Sequence, residues 1–198
     1  FMVKKKGKWG VLTQTLGTLV PVEYDFLTDR DFGTGTVFEV GKGELKGVLS
    51  TDNKVLLPLR YKYLDWSGAS PGCTWVMNDT AFGVVNMRNE VVIPFRYSNY
   101  KYHHTGQNMV RQNGKTGMID FGGNVIVPLE YEDAERFFGG LAPVKRNGKW
   151  GFVDRRAELV IPCIYDKVES FSEGKSKVTK EGRSFYINEK GETVPGIK

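Results

Sequence analysis

Three kinds of side chain in this sequence could do chemistry by type: histidine, cysteine and the paired carboxylate. The two histidines are adjacent, His103 and His104. Neighbouring residues of a strand point to opposite faces, so the pair cannot close on one metal ion and reads as loop histidines. Cys73 and Cys163 are too few for a disulfide framework, and no base stands at a spacing that would activate a thiol. Asp120 and Asp154 occupy matched sites, but Thr13, Ser50 and Asn86 fill the same slot elsewhere. Small polar residues that interchange in this way serve turn hydrogen bonding rather than acid–base catalysis. Asn78-Asp79-Thr80 fits an N-glycosylation pattern, which only a eukaryotic secretory route would use. No phosphate-cradling glycine motif and no zinc-spaced cysteine set occurs. The expectation is no enzyme, no cofactor and no metal.

Binding chemistry is better represented. Residues 91–119 contain no Asp or Glu but hold Arg96, Lys101, Arg111 and Lys115. Aromatic residues lie close by in sequence. Cations interleaved with aromatics suit protein hot spots and sugar-like or anionic polymers. The candidate contact residues are therefore Tyr61, Tyr63, Trp66, Trp75, Arg96, Tyr100, Lys101, Tyr102 and Arg111. Elsewhere acidic segments (Glu23, Asp25; Glu130, Glu132; Asp166) alternate with basic ones (Lys4, Lys5, Lys6, Lys8; Lys145, Arg146, Lys149), as expected for solvated faces that neutralise each other.

The elements that carry these residues are set by an internal repeat. Gly10, Gly47, Gly83, Gly117 and Gly151 are each followed eleven residues later by a proline: Pro21, Pro58, Pro94, Pro128 and Pro162. Tyr24, Tyr61, Tyr97, Tyr131 and Tyr165 stand three residues beyond. A valine precedes each Trp-like position by six residues. Those positions are Trp9, Lys46, Phe82, Thr116, Trp150 and Ser184, 37, 36, 34, 34 and 34 residues apart. Units fall at about 1–35, 36–71, 72–105, 106–139 and 140–173, followed by a degenerate half-unit, 174–198, in which Phe185 replaces the glycine.

"GKWGFVDRRAELVIPCIYD" (Gly148 to Asp166) and "GKTGMIDFGGNVIVPLEYE" (Gly114 to Glu132) resemble the WG-repeat, or KWG-repeat, family, and the skeleton of that pattern extends over almost the whole chain. The resemblance implies a bacterial-type β-rich repeat module and supplies no catalytic residues.

Each unit reads as a β-meander. Asn147-Gly148 signals a hairpin turn. The glycine inside a strand signals a bulge or close backbone approach, the proline ends the third strand, and the tyrosine packs on the next unit. Whether a fourth strand, a turn or a helical turn follows is open. A 34-residue unit cannot bury its own apolar face, so neighbours must stack. The predicted fold is all-β, a single repeat domain of tandem meanders stacked as an open solenoid-like array. The alternative is a five-bladed β-propeller.

The predicted function is a non-catalytic binding or scaffold module with a protein partner. A glycan or cell-envelope polymer is the rival ligand, and a polyanion a third. The net charge of +5 suits anionic partners or plain solubility. No apolar run approaches the ~20 residues of a spanning helix. No leader is visible, so a cytoplasmic protein and one exported after leader removal both fit.

Overall fold

The computed structural model describes residues 1–31, 35–103 and 106–195, except for the side chain of His103. His104 and half of the histidine pair's expected geometry lie outside the described residues. Within them the secondary structure is entirely β, arranged as six small antiparallel sheets whose strands follow chain order. No helix is long and apolar enough to cross a membrane.

The first sheet has three strands, β1 (Met2–Lys5), β2 (Lys8–Leu12) and β3 (Thr18–Tyr24). The second has β4 (Phe26–Asp31), β5 (Thr36–Lys42), β6 (Leu45–Ser50) and β7 (Val55–Tyr61). The third has β8 (Tyr63–Asp65), β9 (Cys73–Met77), β10 (Phe82–Asn86) and β11 (Val91–Tyr97). The fourth has β12 (Asn99–His103), β13 (Gln107–Gln112), β14 (Lys115–Asp120) and β15 (Val125–Tyr131). The fifth has β16 (Asp133–Ala134), β17 (Ala142–Arg146), β18 (Lys149–Val153) and β19 (Leu159–Tyr165). The sixth has β20 (Lys167–Val168), β21 (Lys175–Lys180), β22 (Arg183–Asn188) and β23 (Thr193–Val194).

The stretch after each tyrosine is thus a strand, and it opens the following sheet rather than closing the preceding one. This also makes the sheets six where five complete units were counted. The half-unit at the C-terminus keeps its hairpin and takes β20 from the chain just after Tyr165.

The chain divides into two compact units, Phe1–Arg96 and Tyr97–Lys198. In the first, Val11, Val20 and Tyr24 of the first sheet bury against Leu27, Phe38, Val40 and Leu49 of the second. Val48, Leu57 and Tyr61 of the second then pack against Leu64, Val76 and Val85 of the third. The other unit repeats the scheme. Met118, Val127 and Tyr131 meet Ala134, Ala142, Val144 and Val153, and on the far face Phe152, Ile161 and Tyr165 meet Val178 and Ile187. A middle sheet is therefore apolar on both faces, which is why both residues after each landmark glycine are hydrophobic. Within each unit, consecutive sheets complete each other's cores, as a repeat of this size requires.

The landmarks find mechanical explanations. At the hairpin between β17 and β18, Asn147 and Gly148 have φ of +51° and +73°, the left-handed pair of a type I′ turn. The proline does not end its strand. Pro21, Pro58, Pro94, Pro128 and Pro162 are each the fourth residue of a seven-residue edge strand that runs on to the tyrosine. An outermost strand has one row of N–H groups without a ladder partner, so a missing donor is tolerated there. The strand bulges at the proline. Trp9 pairs with Tyr24 and Val11 with Val20, so two extra residues of β3 pass opposite Gly10, and β7, β15 and β19 shift register likewise.

Candidate functional site

The carboxylate slot is built into the second turn of every sheet. Asp154 Oδ1 accepts the amides of Arg156 and Glu158, both at 2.9 Å. Asp120 Oδ1 accepts those of Gly122 and Asn124, both at 2.8 Å. Asn86 and Asn188 do the same with a neutral amide oxygen. Ser50 and Thr13 use a hydroxyl. These side chains close turns, in agreement with their interchange in the sequence. Asn78 is similarly engaged: its Oδ1 accepts the amides of Thr80 and Ala81.

A second set of acidic residues fastens the link between sheets. Directly after their tyrosines, Asp25 takes the ammonium of Lys8 and the amide of Gly43, while Asp166 takes Lys149 and the amide of Glu181. Glu132 takes the amide of Gly148 at 2.9 Å. Lys42 with Glu23 and Arg146 with Glu130 complete the pairing of basic hairpins with acidic segments. The sequence reading saw only alternating charge here. The usable signal was a carboxylate directly after the landmark tyrosine in three units.

These bonds hold the carboxyls below the usual carboxylate range. The Lys8 bond and then the Gly43 amide lower Asp25; the Lys149 bond and then the Glu181 amide lower Asp166; the Glu158 amide leads for Asp154. For Asp120, burial pushes upward and is outweighed by the Asn124 side chain and the surrounding amides. A carboxyl depressed on folding stabilises the fold above its unfolded pKa of about 3.9, and that contribution is lost as pH falls through the folded value. We expect Tm to be level from pH 7 to about 5 and to fall below about pH 4. Asp154→Asn, which keeps the turn as Asn86 does, should flatten that acid limb. An unchanged limb in the Asp120→Asn/Asp154→Asn variant would show that these carboxyls do not set it.

Both thiols are half-buried, and burial raises them above the ordinary cysteine value. Cys163 packs against the core between the fourth and fifth sheets. Among the described residues, no three His, Cys, Asp or Glu side chains gather into a potential metal site.

The predicted contact residues separate into two sets. In the first unit, Trp75 is fully buried at the centre of β9, its indole N–H donating to the Gly68 carbonyl at 3.3 Å. Tyr61 is buried too, its hydroxyl donating to Asn89 Oδ1 at 2.6 Å. Trp75 and Tyr61 are therefore corrected from contact surface to core: both rings are buried, that of Tyr61 between the second and third sheets. Trp66 is half-buried and donates to Glu39 Oε2 at 3.0 Å. Glu39, not singled out in the sequence, is itself buried and also holds Arg30 (3.3 Å) and Lys46 (3.6 Å). Tyr63 stays exposed, edge-on to Phe82, and Arg96 is exposed.

In the second unit, Tyr102 is half-buried with its ring 6.4 Å from that of Phe121. Tyr100, Lys101 and Arg111 line one cavity of about 150 Å³, together with Met109 and Thr116 of the fourth sheet and Asp133 of the fifth. A larger hollow of about 470 Å³ adjoins it through Lys101, Met109 and Asp133 and adds Glu135 and Arg136. Thr116 and Asp133 were missed because only stacking brings β16 against β14.

The rim tryptophans are structural. Trp9 and Trp150 are half-buried against the inter-sheet cores, each with the lysine paired across the strand over its ring. Lys4 Nζ lies 5.1 Å from the Trp9 ring centroid and Lys145 Nζ 5.7 Å from that of Trp150.

The family model described as "WG containing repeat" matches residues 117–150 and 150–183. No curated protein matches the chain. Among solved structures, a "Crystal structure of the eukaryotic initiation factor" is similar with a TM-score of 0.42 and 11% identity, over 97% of this chain and 61% of that one. Hsv2p of Kluyveromyces lactis gives 0.39 and 9%, over 94% and 70%. The chain thus spans less than two thirds of the first of these, and neither likeness is close enough to carry an argument.

Proposed function

We propose that this chain, in which residues 117–183 match the WG containing repeat, is a non-catalytic binding module whose protein partner is held at the cavity of the second unit. The observation that supports this is the convergence of Lys101, Arg111 and Met109, which alternation puts on one sheet face, on one concave surface. The carboxylates and thiols with catalytic potential, by contrast, are occupied in turns or muted by burial. A concave protein surface joining an arginine, a second cation and an apolar floor (Met109) suits an interaction hot spot. Glycan stacking on rim aromatics is less well served, because Trp75 and Tyr61 are buried and Trp66 is tied to Glu39.

The test is charge reversal of the two cations, Lys101→Glu with Arg111→Glu. Both are exposed, so Tm should stay within about 2 °C. Affinity capture followed by quantitative mass spectrometry should lose the proteins recovered by the wild type. Undiminished capture by the folded variant refutes the reading, and retention on a glycan array in place of protein capture transfers the role to carbohydrate.

A further inference from the structure

The cavity of the second unit occupies a place that tryptophan fills in other repeats. In the first sheet Trp9 pairs with Lys4 on one side and Tyr24 on the other. In the fifth, Trp150 pairs with Lys145 and Tyr165. In the fourth, the same register position is Thr116, paired with Arg111 and Tyr131. The tyrosine is kept and the cation is kept; the indole between them is replaced by three heavy atoms. Thr116 is nonetheless 7% exposed, so the position is roofed by the fifth sheet. Ser184, the other small occupant, is exposed.

Alternation along β12, β13 and β14 puts Asn99, Lys101, Met109, Arg111 and Thr116 on one face. All five line the cavity, and Asp133 closes it from the fifth sheet. A cavity of about 150 Å³ accepts a benzene-sized ring. Arg111 holds the station from which Lys4 and Lys145 cover an indole face, and its guanidinium is steadied by a 3.4 Å bond to the Gly114 carbonyl. Arginine is the stronger partner for an aromatic face.

We infer that this cavity receives an aromatic side chain of the protein partner, tryptophan by preference, which supplies in trans the ring that the fourth repeat lacks. The inference rests on the binding-module reading. The neighbouring Lys101, Asp133, Glu135 and Arg136 offer both signs of charge to the peptide around that ring.

The probe is N-acetyl-L-tryptophanamide, titrated into the ¹⁵N-labelled chain beside N-acetyl-L-leucinamide and methyl β-D-glucopyranoside. Saturable shifts at the Arg111, Thr116 and Asp133 amides are expected from the tryptophan amide. The leucine amide should bind at least about tenfold more weakly and the glucoside not at all. Thr116→Trp should fill the cavity from within, raising Tm by about 2–6 °C and abolishing the shifts. Arg111→Gln should weaken the probe about 3- to 10-fold and decides the matter alone if Thr116→Trp does not fold.

Equal binding of the leucine amide, binding of the glucoside instead, silence at these amides, or unchanged affinity in Arg111→Gln each overturns the proposal. A silent probe with capture still lost on charge reversal of Lys101 and Arg111 removes the aromatic occupant and leaves the module reading. A saturating probe with capture unchanged does the reverse.

Discussion

Gly151→Ala is expected to destabilise the protein by about 3 kcal/mol, at the upper end of the cost of overpacking, and to lower Tm by about 6–12 °C. A methyl group at this position would lie 2.5 Å from the Ile161 carbonyl oxygen and 2.7 Å from both the Cys163 nitrogen and the Pro162 carbonyl carbon. These are all backbone atoms of the bulged edge strand, so no rotamer change relieves the contact. Gly151 has no positive φ, and the requirement is for space rather than for an unusual backbone angle. Gly10, Gly47, Gly83 and Gly117 meet the same obstacle at 2.5–2.8 Å.

Gly122→Ala is the control. Its added methyl would meet the end of the Asn124 side chain at 3.3 Å, which can move, and the cost should stay near 0.5 kcal/mol. Urea unfolding of the two variants distinguishes the cases, and equal midpoints would refute the close-approach explanation. The sixth matching position holds Phe185, next to Tyr186 and Ile187, which pair with Val194 and Thr193 of β23.

Trp75→Ala is expected to cost about 3–5 kcal/mol, as for any large aromatic removed from a sealed site. Its ring has no exposed surface, and its N–H is used internally. Trp75→Phe should recover most of that loss, since it keeps an aromatic ring and sacrifices only one hydrogen bond and part of the volume. The measurement is again the denaturation midpoint, with tryptophan emission reporting the buried ring. A Trp75→Ala protein of wild-type stability would mean the ring is not core and would return it to the contact surface.

The comparison of Trp75 with Lys101 shows how far sequence reasoning reached. Both were proposed as contact residues from composition, a basic stretch with aromatics close by. Composition cannot distinguish an aromatic that faces a neighbouring sheet from one that faces solvent. Trp75 adjoins the landmark Val76 on the opposite face of β9, and both are buried. Lys101 and Arg111 are exposed, because a long cation is rarely sealed in a core.

The turn slot at Asp120 and Asp154 was readable in full, because a five-residue turn with an acceptor at its first position is a local device. Its identity depends only on residues that are close in sequence. The placement of the proline was not. A missing N–H could equally end a strand or sit in an edge strand, and only the register between β18 and β19 decides that.

Taken alone, the sequence determined the repeat, its all-β character, the hairpin at Asn147-Gly148, the need for stacking and the steric role of the glycines. Each follows from backbone chemistry acting over a few residues and copied along the chain. The tertiary structure decided that the stretch after each tyrosine begins the next sheet, that Tyr61 and Trp75 are interior, and that Thr116 opens onto Asp133. Those outcomes depend on which faces meet when one sheet is laid on the next. Residues 17 apart in sequence, as Thr116 and Asp133 are, become neighbours only through that packing.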